Sequence, residues 1–446
     1  MAPFQPRATS SRLPFVCASV LLFTHFARPF DTVLAGYRLP AIICSIAIVA
    51  AVLSGGLREL RSRVGFGFLL LLGWMCFTVP FSSWKGGSST YVLWYLQFYL
   101  PLMLLVAVAS KTPGDIVKLS GVLAFSCLFH LIVNGSWEGD RLTVAGTYGN
   151  SGEVALLAGF TIPFFLLAVS RLRAPLLRYF LIIGCCGFLL LLIGRTGTRA
   201  AIPSLAAMVF VYIIRSRGVQ RLAIIAFVVV AAFAVALALP ANTIGRLSTL
   251  FDDLNGQSVH LSNAKMSEAE ASTLERRDLM VDALKMTLAH PLVGVGAGMF
   301  TQYRWEKLLQ LNGQHKPYLP AHATYLQISS ECGIPGVIVY LIFLGSIYVQ
   351  VRATRKVVAA RATANADMLW SVALCIEAAL AHFAVNSCFI TCDRYPHQFV
   401  LAGFAIAMQR LSRGPLAETP AAVPRAGFSF TPVPFVGKRA FPVRTR

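Results

Sequence analysis

Four polar clusters interrupt an otherwise apolar chain, and each carries residue types that could do chemistry. In Arg195-Thr196-Gly197-Thr198-Arg199, two guanidinium groups flank a glycine and two hydroxyls, with almost no loop between the apolar runs on either side. Guanidinium forks suit a phosphate or diphosphate at a membrane surface. The alternative is an interfacial anchor, with arginines snorkelling from helix ends. In Ser272-Thr273-Leu274-Glu275-Arg276-Arg277, the Ser272/Glu275 spacing is that of a capping box. It predicts a helix from near residue 273 to His290-Pro291, with Leu274, Val281, Leu284 and Leu288 as its apolar stripe. Arg276 and Arg277 then fall in the first turn, where cations oppose the helix dipole and a bound anion would relieve the conflict. Pairing with Glu275 or Asp278 would relieve it as well.

The third cluster is Pro291-Leu292-Val293-Gly294-Val295-Gly296-Ala297-Gly298. Its G-x-G-x-G spacing, with no strand before it, is a poor nucleotide signature. A tight turn in which Gly294 and Gly296 bring backbone close to a partner fits better. The fourth is His322-Ala323-Thr324-Tyr325-Leu326-Gln327, followed by Glu331 and Gly333. A single histidine is more often structural, but this one stands where the polar segment re-enters an apolar run. There it could orient or deprotonate an attacking hydroxyl. No His, Cys or carboxylate cluster has metal-ligand spacing, Asp252-Asp253 reads as a solvated pair, and neither a P-loop nor a serine nucleophile elbow is present.

The elements that must position these clusters are membrane helices. Of the 446 residues, 56% are hydrophobic and 13% charged, about half the charge of a soluble chain. Twelve segments approach the length a bilayer demands: near 13–30, 39–53, 65–81, 92–109, 117–134, 154–170, 176–194, 199–214, 221–240, 334–350, 368–388 and 396–411. The first is read as a retained span, because it lacks a clean cleavage site and more spans follow. Alternate short loops hold fifteen Lys and Arg against seven, which puts both termini in the cytoplasm and residues 241–333 outside. That long segment holds nine of the 19 acidic residues and four of the eight histidines. The net charge of +20 thus orients the chain in a membrane and gives no sign of nucleic-acid binding. The ten cysteines sit mostly in apolar runs as small hydrophobes, Cys388 and Cys392 being the one spacing that could pair across a turn. The expected organisation is an N-terminal bundle (1–240), a large outer loop (241–333), further spans (334–411) and a disordered basic tail (412–446) near anionic lipid.

In order and spacing the clusters resemble the signatures of the O-antigen ligase and polymerase superfamily. Thr198-Arg199-Ala200 looks like its Ser/Thr-Arg-small element. Arg276 with Pro291-Leu292-Val293-Gly294-Val295-Gly296 resembles its Arg…Pro-Leu-x-Gly-x-Gly element, and His322-Ala323-Thr324-Tyr325-Leu326 with Glu331-Cys332-Gly333-Ile334-Pro335-Gly336 its His-Asn-x-x-Leu…Glu-x-Gly-x-x-Gly element. Gly146-Thr147-Tyr148-Gly149-Asn150 is a looser match, and Ala323 stands where the family usually has Asn.

The resemblance implies an all-α, GT-C-like integral protein of the bacterial inner membrane, with its active loop in the periplasm. It would transfer a glycan from an undecaprenyl-diphosphate carrier to lipid A-core or another glycan acceptor, without metal or cofactor. By position, His322, Arg276 and Arg199 would be catalytic. Arg199, Arg276, Arg277 and Arg195 would bind the donor diphosphate, while Glu331, which could fix the His322 tautomer, Gly294 and Gly296 give support. A repeat-unit polymerase is the neighbouring reading. A lipid-linked sugar flippase is the reading of another class, with Glu377 and His382 as its candidate intramembrane pathway.

Overall fold

Backbone inside hydrocarbon has to satisfy its own N–H and C=O groups, so each long apolar run is driven into helix. The computed structural model describes residues 12–29, 31, 39–138, 141–144, 146, 148–216, 218–239, 264–312, 318–360 and 366–413. The first ten helices are α1 (Leu13–Phe26), α2 (Leu39–Leu53), α3 (Arg63–Thr78), α4 (Lys85–Trp94), α5 (Leu100–Ala109), α6 (Pro113–Val133), α7 (Ser151–Val169), α8 (Pro175–Thr196), α9 (Ala201–Arg215) and α10 (Val219–Ala238). Then come α11 (Ala264–Ala289), α12 (Phe300–Asn312), α13 (Thr324–Ala360), α14 (Ala366–Asn386) and α15 (His397–Arg413). Among the described residues the only sheet is a hairpin, β1 (Gly135–Glu138) against β2 (Arg141–Val144).

All twelve apolar segments are helical, yet among the described residues only eight helices are long and apolar enough to cross a membrane. They are Arg63–Phe81, Lys85–Ala109, Pro113–Val133, Ser151–Val169, Pro175–Thr196, Val219–Ala238, Thr324–Ala359 and Ala366–Asn386. α1, α2 and α9 are apolar but shorter. α5, α7 and α15 are buried along most of their length and form the centre of the bundle. α10 buries none of its residues and presents an apolar surface all round, as a helix at the lipid edge does. Asp252-Asp253 and the tail from residue 414 lie outside the described residues.

Two sequence expectations change. α11 begins at Ala264, so Ser272 and Glu275 lie inside it rather than at its start. The preceding Ala264-Lys265-Met266-Ser267-Glu268-Ala269-Glu270-Ala271 is rich in strong helix formers and carries the helix upstream. Arg276 and Arg277 therefore occupy mid-helix and meet no N-terminal dipole. The face α11 packs inward is Leu279, Ala283 and Met286, while Val281, Leu284 and Leu288 are exposed.

Glu377 and His382 do not form a pathway pair. Glu377 Oε2 accepts from Arg215 Nε at 2.9 Å and Arg355 Nη1 at 2.8 Å, tying α9 and α13 to α14. His382 Nε2 lies 3.2 Å from the Leu156 carbonyl on α7.

Candidate active site

The polar segment is fastened to the bundle by its glycine turn. α13 breaks at Gly333 (φ 73°, ψ 179°), just before Pro335. Pro335 has no N–H for the Glu331 carbonyl, and Ile334 N turns away to donate to Pro291 O at 2.8 Å. Two carbonyls thus lose their helical donors, and Val295 N and Gly296 N replace them, donating to Ser330 O and Glu331 O at 2.9 Å each. A side chain on Gly294 (φ 68°) would run into the Glu331 backbone, and one on Gly333 into the Leu292 carbonyl; only glycine fits either place. From the other side, Ser83 N donates to Val295 O at 2.9 Å and Ser88 Oγ to Ala297 O at 3.0 Å. The partner that the glycine turn approaches is the protein's own broken helix.

Glu331 completes this clasp. Its Oε2 accepts from Gly298 N at 2.8 Å, and its Oε1 from Phe300 N at 3.3 Å and Gln327 Nε2 at 3.1 Å. A carboxylate at the first N–H groups of α12 is favoured by the helix dipole. Its expected part in setting the His322 tautomer is therefore at most indirect. Gln327 Oε1 accepts from Ala321 N at 3.0 Å and from Thr391 Oγ1 at 3.0 Å, so Gln327 links Glu331 to the residue preceding His322.

His322 stands at φ 53° in the turn before α13, a left-handed conformation uncommon outside glycine. The turn is held by Thr324, whose N donates to Ser387 O at 2.8 Å and whose Oγ1 donates to Ile390 O at 2.6 Å and accepts from Cys392 N at 2.9 Å. An over-determined surround of this kind is what maintains a strained residue. Burial lowers the His322 imidazole to about 4, and the nearby Arg276 guanidinium adds to the effect. Arg276 and His322 are therefore electrostatic neighbours, brought together across 46 positions of sequence. Leu279, Ala283 and Met286 of α11 pack with Val295, Met299, Phe300 and Ala321, seating one against the other. Arg276 is half-buried and the adjacent Arg277 exposed, because successive residues on a helix face different ways.

Arg195 and Arg199 flank the α8–α9 turn, both half-buried. Arg195 Nη2 donates to Ala238 O at the end of α10 (3.3 Å), and Thr198 Oγ1 to Ser151 Oγ at the start of α7 (3.4 Å). A Cβ on the next residue, Gly152, would strike Ile390, whose carbonyl holds Thr324. The α8–α9 turn thus belongs to the same end of the bundle as His322.

Sequence reasoning missed a third group at this end. Tyr91 donates its hydroxyl to Asp393 Oδ2, and Tyr95 OH donates to Asp393 O at 2.8 Å. The Arg394 guanidinium lies 4.6 Å from the Tyr91 ring centroid and donates to Gly298 O at 3.5 Å. Burial opposes the charge on Arg394, but the neighbouring Tyr91 and Asp393 outweigh it and raise its pKa. In sequence, Arg394 looked like one more loop charge, and the Asp-Arg pair carries no recognisable spacing to Tyr91. All ten cysteines are free thiols; Cys392 Sγ lies 3.0 Å from Ser387 Oγ rather than bonded to Cys388. Among the described residues no three His, Cys, Asp or Glu side chains are placed to hold a metal ion.

Residues 180–341 match the family model described as O-antigen ligase, which supports the O-antigen ligase superfamily for this chain. The matched stretch includes Arg195, Arg199, Arg276, Arg277, the glycine turn, His322 and Glu331. No curated protein matches the chain.

Proposed function

We propose that this chain, a member of the O-antigen ligase superfamily by its residues 180–341, transfers a glycan from a polyprenyl-diphosphate carrier to the hydroxyl of an acceptor sugar. The observation that carries the reading is the electrostatic proximity of Arg276 to a strained, buried His322 that is neutral at physiological pH. Neutral imidazole takes the acceptor hydroxyl proton as the oxygen attacks the anomeric carbon. The bond from that carbon to the diphosphate oxygen breaks, and the electron pair leaves with the diphosphate. Arg276 and Arg199 stabilise the charge that develops there, with Arg277 and Arg195 adding positive potential around it. The prenyl chain stays in lipid while its headgroup reaches the polar segment. Orientation with this end in the periplasm of a bacterial inner membrane, and lipid A-core as the acceptor, complete the reading.

The test is transfer by purified protein, using an undecaprenyl-diphosphate-linked glycan as donor. His322→Ala and Arg276→Ala, expressed normally, are expected to abolish it; normal lipopolysaccharide laddering in both variants would overturn the assignment. In a deletion strain, loss of all O-antigen from lipid A-core marks a ligase, whereas a single capped repeat unit marks a polymerase.

A further inference from the structure

A cavity of about 370 Å³ opens beside the glycine turn, lined by Trp84, Thr90, Tyr91 and Trp94 of the α4 region and by Gly298, Met299, Thr301, Tyr318 and Arg394. Its volume falls within the range of small-ligand sites, about 300–1,000 Å³. The lining combines aromatic rings with hydroxyls and one guanidinium. Trp84 and Tyr318 are 57% and 61% exposed, so their surfaces are available to a ligand without unfolding anything. A membrane-interface belt also collects Trp and Tyr, but a belt has no reason to converge on a concavity with Thr90, Thr301 and Arg394 among its walls. The cavity also joins the clasp. Met299 packs in the same apolar cluster as Ala321, the residue before His322, and Gly298 N is held by Glu331.

We propose that this aromatic hollow is a glycan subsite, in which a sugar ring lies on Trp84 and Tyr318 and directs its hydroxyls or a carboxylate to Arg394, Thr90 and Thr301. The proposal rests on the transferase reading above and names where the saccharide sits. Sugar rings have apolar C–H faces and polar edges, which suits aromatic faces bordered by the Arg394 donors and by hydroxyls such as Thr90, whose O–H is held by Gly86 O and whose oxygen can accept. A guanidinium has five donors; Gly298 O and Tyr91 engage part of that set, and the exposed side of Arg394 faces the cavity. Stacking of the guanidinium over Tyr91 fixes its plane, so the fork is positioned before a ligand arrives.

The test is direct binding, independent of bond formation. Full-length protein in lipid nanodiscs is titrated calorimetrically with core oligosaccharide and, separately, with O-polysaccharide, both released by mild acid from the host strain's lipopolysaccharide. Binding is expected in the wild type. Trp84→Ala, Tyr318→Ala and Arg394→Gln should each weaken it about tenfold, with melting temperature unchanged in the two exposed-ring variants. Core oligosaccharide as the binder assigns the hollow to the acceptor, O-polysaccharide to the donor glycan. Unchanged affinity in Trp84→Ala and Tyr318→Ala overturns the proposal. So does failure of both saccharides to bind, or heat released only by undecaprenyl phosphate, which would make the hollow a lipid groove. Should His322→Ala retain transfer, the transferase reading fails while the binding result stands by itself.

Discussion

Two regions of the bundle use carboxylates differently. Away from the polar segment, carboxylates neutralise arginines. Glu377, with its side chain 2% exposed, takes both Arg215 and Arg355, and Glu59 takes Arg410, which also donates to Ala107 O and Ser110 O at 2.7 and 2.9 Å. At the clasp, Glu331 binds Gly298 N, Phe300 N and Gln327 Nε2, while Asp393 binds Tyr91 and takes Tyr95 and Gln398 on its backbone oxygen. The first arrangement holds helices together; the second shapes the backbone beside the His322 turn and sets Asp393 next to the Arg394 guanidinium.

The largest expected effect separates the two regions by function. Removing the base at His322, or the charge at Arg276, should cost transfer a factor of about 10²–10⁴ while the folded protein keeps its melting temperature. Glu377→Ala should do the reverse. It leaves two arginines beside an emptied, buried position and should cost about 3–5 kcal/mol of stability, read by thermal or denaturant unfolding in detergent. Transfer per folded molecule should be unchanged. If folded Glu377→Ala lost transfer selectively, the division between holding and reacting regions would fail.

Next in size is the clasp itself. Glu331→Gln keeps the shape but replaces one of the acceptor oxygens with an NH2 that cannot accept, leaving a buried backbone N–H unpaired at a cost of about 1–3 kcal/mol. Faster proteolysis near residues 294–300 and a roughly tenfold lower turnover are expected. Turnover unchanged alongside faster proteolysis would show that the clasp does not position the chemistry.

Much of this arrangement was legible in the sequence, and the remainder was hidden for identifiable reasons. Apolar segments announce themselves because hydrophobicity adds along a window, so all twelve helical segments were visible; length decided that only eight of them qualify as spans among the described residues. The Ser272/Glu275 signature misled because a two-residue pattern is also a common pair within a helix, and the residues before it favour helix too. The glycine turn was readable as a turn, but its partner was not. Val295 and Gly296 find acceptors only because Gly333 and Pro335 break α13 some 40 residues later. Tyr91 and Asp393 lie 302 positions apart, a pairing no local pattern encodes.

The smallest expected effect concerns pH and probes an electrostatic link between α11 and the His322 turn. His322 titrates near 4 in the folded protein against 6.5 for an unperturbed imidazole. Between those values the unfolded chain binds a proton that the folded protein refuses, so stability contributed here is intact above 6.5 and falls as pH drops toward 4. The same shift keeps the base neutral, so the acidic limb of kcat/KM for transfer should lie near 4. Burial is the larger cause and Arg276 the smaller. Arg276→Gln should therefore move the limb of its residual activity upward only part of the way toward 6.5, whereas Arg276→Lys, which keeps the charge, should leave it in place. An unmoved limb in Arg276→Gln would mean that Arg276 does not act on His322, and that the two meet in the fold without being coupled in the chemistry. Arg277→Gln serves as the control on the same helix. Its side chain points away, so the limb should stay where it is.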